Sequence, residues 1–254
     1  MWNAFRTDTL GGIVAGVSMM PGGNGSEIHT YIARPDGSGP YPGVVMMHHA
    51  PGWDEFYREF ARRFAAHGYI AIVPNLYEQF GQGTPDEVAA AARAAGGVSD
   101  ASVIGDAQAA LEQVKSMPSS NGKVAVIGSC SAGRHAVLVG TKVPGFGAIA
   151  DLWGAGVVVP PDRLTPQQPE AVIDMTPELN VPLIGLFGND DMSPSPDQVN
   201  THEQALKDNG KEYVFYRYDG AGHGFFYYHM PSYRQQAAMD GWNKVEDFFN
   251  QHLG

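Results

Sequence analysis

The segment Val126-Ile127-Gly128-Ser129-Cys130-Ser131-Ala132-Gly133 sets a single thiol between an apolar run that reads as a strand and a run that can continue as a helix. A small residue, any residue, a nucleophile, any residue and a small residue make up the nucleophile-elbow pattern. The turn is so tight that its flanking positions must be nearly bare, a need that Gly128 and Ala132 meet. It also puts the sulfur at a helix N-terminus, where the dipole favours thiolate over thiol. A lone cysteine is more often a small buried hydrophobe. The pattern around Cys130 favours an attacking group instead.

A nucleophilic cysteine needs a base and an orienting carboxylate. Tyr218-Asp219-Gly220-Ala221-Gly222-His223-Gly224-Phe225 follows the last strand-like run, so His223 stands in a glycine-rich loop and is the candidate base. Leu186-Phe187-Gly188-Asn189-Asp190-Asp191 closes the preceding strand and offers two carboxylates. Only one of them should face the histidine, the other serving its own turn. The chain order of nucleophile, acid and base is that of the α/β-hydrolase pattern.

The elements that must carry these residues alternate. Gly43–His49 is a buried-type strand, after which Phe56, Phe60 and Phe64 repeat every four residues up to His67-Gly68 and predict an amphipathic helix. Tyr69–Val73 is the next strand, closed by Pro74. Thr84-Pro85-Asp86-Glu87 is a capping box with proline at the first helical position, and Val103, Ala107, Leu111 and Val114 mark a helix face that must end before Pro118. Further strands are expected at Lys123–Gly128, Phe146–Leu152, Val181–Phe187 and Tyr213–Tyr218. Helices are expected over Ala132–Gly140, from Ser195 to Asn209-Gly210, and at the C-terminus on Ala238, Trp242, Val245 and Phe249. Gly22-Gly23-Asn24-Gly25 reads as a hairpin turn, since no strand–glycine–helix context makes it a phosphate loop. Such alternation predicts an α/β fold with a mostly parallel central sheet and helices on both faces, its site beyond the carboxyl ends of the strands. No composition break marks a linker, so residues 1–254 are expected to form one domain.

On these residues the sequence resembles the dienelactone hydrolase family, cysteine-dependent α/β-hydrolases that open lactones and cleave related esters. The likeness runs through the loop His49–Gly52, Pro74-Asn75-Leu76-Tyr77, Asn121-Gly122-Lys123-Val124, the elbow, Gly188–Asp191 and Gly220–Phe225. It implies a triad of Cys130, Asp191 and His223, with the acid three residues after Gly188, and an oxyanion hole from the backbone N–H groups of Ser131 and Ala50. The chain also departs from the family. His49 stands where members carry a glutamate that holds the resting thiol, and Gln79 and Tyr227 stand where arginines grip a substrate carboxylate. The expected substrate is therefore a small ester or lactone without selectivity for a carboxylate-bearing dienelactone, and His49, a candidate substrate-binding residue, either shares a proton with the sulfur or points away from it and caps the strand. The stretch Pro160–Asn180 is longer than in compact members.

Other residues carry less. His48 and His49 are adjacent on a strand end, so they face opposite ways and make a poor metal pair. His202 reads as a surface or packing residue. Trp153 and Phe225–Tyr228 fit either an aromatic substrate pocket or core. The chain of 254 residues has 27 acidic against 16 basic side chains, a formal charge of −11, which disfavours a nucleic-acid partner. Its apolar runs fall far short of the roughly 18 residues of a membrane span. Met1–Arg6 lacks the basic start and apolar stretch of a signal peptide, so a cytoplasmic location is expected. One cysteine excludes an intrachain disulfide framework. The expected partner is a small-molecule ester or lactone, with no cofactor or metal, while oligomeric state is not legible. A peroxide-reactive thiol enzyme and a non-catalytic ligand-binding protein are the alternatives.

Overall fold

The computed structural model describes residues 12–254, whose contacts gather into two compact units, one running up to Ala125 and the other over Val126–Gly254, divided within a single strand.

The first unit opens with β1 (Ile13–Pro21) and β2 (Glu27–Pro35), an antiparallel hairpin closed by the expected turn, where the Gly22 N–H donates to the Ser26 carbonyl at 2.6 Å. β3 (Tyr41–Met47) and β4 (Ile70–Pro74) run parallel, and β4 pairs antiparallel with β2. Val44–Met47 and Ile70–Val73 are fully buried, which is why they read as unbroken apolar runs and not as alternation. Between them α1 (Glu55–Ala66) buries Phe56, Phe60 and Phe64, and its N-cap Asp54 accepts the Tyr57 N–H. α2 (Pro85–Ala94) starts on the Thr84–Glu87 capping box. α3 (Asp100–Ser116) buries Val103, Ala107, Leu111 and Val114 and stops before Pro118.

β5 (Ser120–Ser129) begins in the first unit and ends in the second, leading directly into α4 (Ser131–Lys142). β6 (Ala148–Leu152), β7 (Leu183–Gly188) and β8 (Tyr213–Tyr218) are mutually parallel, with Leu152 opposite Leu186 and Gly188 opposite Tyr218. That register makes the loops bearing Trp153, Asp191 and His223 leave the same edge. α5 (Pro196–Asp208) has its own capping box, Ser195 with Gln198, and α6 (Gln235–Leu253) buries Ala238, Trp242, Val245 and Phe249. The long Pro160–Asn180 stretch forms two short 3₁₀ turns, Pro161–Arg163 and Val172–Glu178. No described helix is long and apolar enough to cross a membrane.

Candidate active site

Cys130 sits at the sharp turn between β5 and α4 with φ 57° and ψ −130°, in the half of backbone space that side chains other than glycine avoid. The turn is held on both sides: the Cys130 N–H donates to Leu152 O, and the Cys130 carbonyl accepts the N–H groups of Gly133 and Ala155, all at 3.0 Å. A Cβ on Gly128 would run into the Ala132 carbonyl, so the glycine is a steric requirement of this turn. The thiol is half-buried at the N-cap of α4, where free N–H groups and the helix dipole favour negative charge.

His223 hydrogen-bonds through its side chain to both Cys130 and Asp191. Its Nδ1–H donates to Asp191 Oδ2 at 2.9 Å, while Asp191 Oδ1 accepts the Ser193 N–H at 2.8 Å. Asp191 is buried, whereas Asp190 is exposed and uses its backbone N–H on Ala221 O. Of the two carboxylates, therefore, Asp191 is the one on the histidine. Burial would lower the His223 pKa, but the bonds to Asp191 and Cys130 raise it to about 10. A histidine in that state is an imidazolium at neutral pH, able to stabilise a thiolate and to give up its proton when the sulfur charge is consumed.

Ser131 follows the nucleophile at the start of α4. Ala50 belongs to the first unit, just past β3, and its carbonyl accepts the Tyr77 hydroxyl at 3.2 Å. His48 and His49 are both buried and have separate tasks. The Leu76 N–H donates to His48 Nε2 at 3.0 Å and His48 Nδ1–H donates to the His49 carbonyl at 3.1 Å, so both ring nitrogens are occupied; burial lowers the His48 pKa to about 4. His49 Nε2–H donates to Asp54 Oδ2 at 2.8 Å, and its ring lies against Phe56 and Tyr57. The Asp54 carboxylate was not expected from sequence; an acidic residue five positions on, at the start of the Phe56-Phe60-Phe64 helix, was the available signal.

The expected substrate contacts fare differently. Gln79 is exposed on the 3₁₀ turn Glu78–Phe80 and lines a groove with Asn24, Glu27 and Asp106. Trp153 is wholly buried against Phe225, Phe226 and Tyr227, with φ 43°. The packing alternative describes it, because a ring with no accessible surface has none to offer a substrate. Tyr227 is buried too, its hydroxyl paired with Ser129 Oγ at 3.0 Å behind the elbow. His202 is a packing residue, edge-on to Phe215.

A family model described as "Dienelactone hydrolase family" matches residues 28–253. A protein of Escherichia coli strain K12 named "Putative carboxymethylenebutenolidase" is 34% identical over 95% of this chain and 89% of its own length. Among solved structures, a "Putative Dienelactone Hydrolase" from Klebsiella pneumoniae superposes with a TM-score of 0.86 at 29% identity, covering 94% of this chain and 99% of that one. The acylaminoacyl peptidase of Pyrococcus horikoshii, 15% identical with a TM-score of 0.74, covers 100% of this chain and 44% of its own, and shares the fold alone. The expected α/β-hydrolase fold is therefore the observed one.

Proposed function

The chain belongs to the dienelactone hydrolase family, and on that premise we propose that it cleaves small esters or lactones through an acyl-enzyme on Cys130. The sulfur attacks the carbonyl carbon, and the oxyanion that forms is received by the Ser131 N–H and, as the family resemblance implies, by that of Ala50. His223 passes a proton to the departing alkoxide, leaving a thioester. Water then attacks the thioester carbon, giving its proton to His223, and collapse of the second tetrahedral adduct releases the carboxylic acid and the thiolate. Asp191 holds the imidazole in the tautomer these transfers need.

The observation that supports this reading most is the unbroken hydrogen-bonded chain from Cys130 through His223 to the buried Asp191. Arginine is missing at both positions where the family grips a carboxylate, and Tyr227 is committed to Ser129. A substrate carboxylate then forgoes charge-assisted bonds worth about 1.5–3 kcal/mol each, and neutral esters and lactones are preferred. The test is a panel of chromogenic esters, in pairs with and without a free carboxylate, with peroxide consumption followed alongside. Turnover with higher kcat/KM on the neutral members is expected. Peroxide consumption without ester turnover would replace the reading with a redox thiol, and neither activity would leave a binding protein.

A further inference from the structure

The first unit contains a cavity of about 340 Å³ whose lining includes none of the residues given a role in the reaction above; its wall carries His29, Trp53, Arg58, Tyr77 and Glu78. The charges on it are unequally satisfied. Glu78 accepts the His29 N–H at 3.1 Å, His29 Nδ1–H at 3.0 Å and the Asn75 amide at 2.9 Å. Burial pushes its pKa up, yet these bonds hold it below the usual carboxylate range. Arg58 has no such company. Its guanidinium lies 4.6 Å over the Trp53 ring, its Nε is buried without an acceptor, and among the described residues no carboxylate pairs with it. The neighbouring acids of α1 point elsewhere, Glu55 and Glu59 both onto Arg62.

The buried Nε is out of a ligand's reach, but the two terminal nitrogens of this guanidinium have no acceptor among the described residues and are the donors a ligand could meet. Its place over the indole face holds the cation at the cavity wall, and the terminal pair of nitrogens can give a carboxylate two parallel bonds. The volume falls in the small-molecule range, and Trp53, Tyr77 and His29 give the walls flat faces. A single cation beside an occupied glutamate suits a monoanion better than a phosphate dianion. We propose that this cavity is a binding site for a small, flat monocarboxylate, held through its carboxyl group by Arg58. The site does not depend on the hydrolase reading.

The test is a calorimetric titration of the full chain with benzoate, with its neutral isostere benzamide, and with inorganic phosphate. Saturable benzoate binding is expected, with benzamide and phosphate weaker by about tenfold or more, the loss of one charge-assisted pair. Arg58→Gln should weaken benzoate to the benzamide level, and Arg58→Lys should fall between. Benzoate bound no better than benzamide by the natural protein overturns the proposal without any variant, so a poorly folding Arg58→Gln leaves it testable. Unchanged benzoate binding by Arg58→Gln, no saturable binding, or tighter binding of phosphate overturns it as well.

Discussion

At the residue scale, order and spacing bring two adjacent aspartates to the end of β7 and leave the choice between them open; the family resemblance implies Asp191, and the β7 turn leaves that one facing the histidine. That an acid would stand there, ahead of the last histidine, could be read from order alone. The Asp54 partner of His49 could not, since a hydrogen bond between a strand end and a helix cap leaves no periodic trace. Asp151 was equally illegible: one carboxyl in the apolar strand Ala148–Leu152, wholly buried, lying against the Gly133 and Gly154 backbone. Burial raises its pKa to about 7. The residue most open to direct measurement is His223. Its ring protons, followed by NMR, should titrate near 10 in the natural protein and distinctly lower in Asp191→Asn, which removes one of the two groups that hold the imidazolium. In the proposed reaction the same substitution costs roughly 10²–10⁴-fold in kcat. A His223 midpoint that stays put in Asp191→Asn would mean that the carboxylate does not govern this base.

At the element scale, helices were legible wherever one face is buried at a four-residue spacing, as in α1 and α3, and wherever a side chain caps the first turn, as at Thr84 and Ser195. β1 escaped because Ile13, Val14, Val17 and Met19 are all exposed, so neither alternation nor continuous burial marks it. The turn between β5 and α4 is the element on which the site hangs. Gly128→Ala would force its new methyl into the Ala132 carbonyl and open the turn. Expected are a lower melting temperature, by an amount typical of overpacking at about 1–3 kcal/mol, and loss of ester turnover in the protein that still folds. A Gly128→Ala protein with normal turnover would show that the elbow tolerates a wider turn than its geometry indicates.

At the scale of the whole molecule, alternating strands and helices announced the α/β class and put the chemistry at strand ends; the division of contacts within β5 had no signal, because no linker composition accompanies it. Buried ionisable groups set how stability varies with pH. His48 and His202 have pKa values lowered by burial to about 4, so each binds a proton in the unfolded chain but not in the folded one between about 4 and 6.5, and stability rises with pH there. Asp151, raised to about 7, opposes them over much of that range, and His223, raised to about 10, makes stability fall as pH climbs from 6.5 toward 10. Asp106, whose carboxyl burial also pushes up, adds to the opposition at the acid end; above it two histidines against Asp151 leave a net rise, then a decline, so melting temperature should peak near pH 6.5, with His202→Gln flattening the acid limb. A melting temperature still climbing from pH 7 to 9 would contradict this balance. The central claim remains that the thiol at the elbow attacks the substrate. It is tested most directly by running the neutral esters on Cys130→Ala beside the natural protein, with melting temperatures as the control for folding. The account predicts a folded variant whose turnover is lower by several orders of magnitude, and near-normal turnover by folded Cys130→Ala would contradict it.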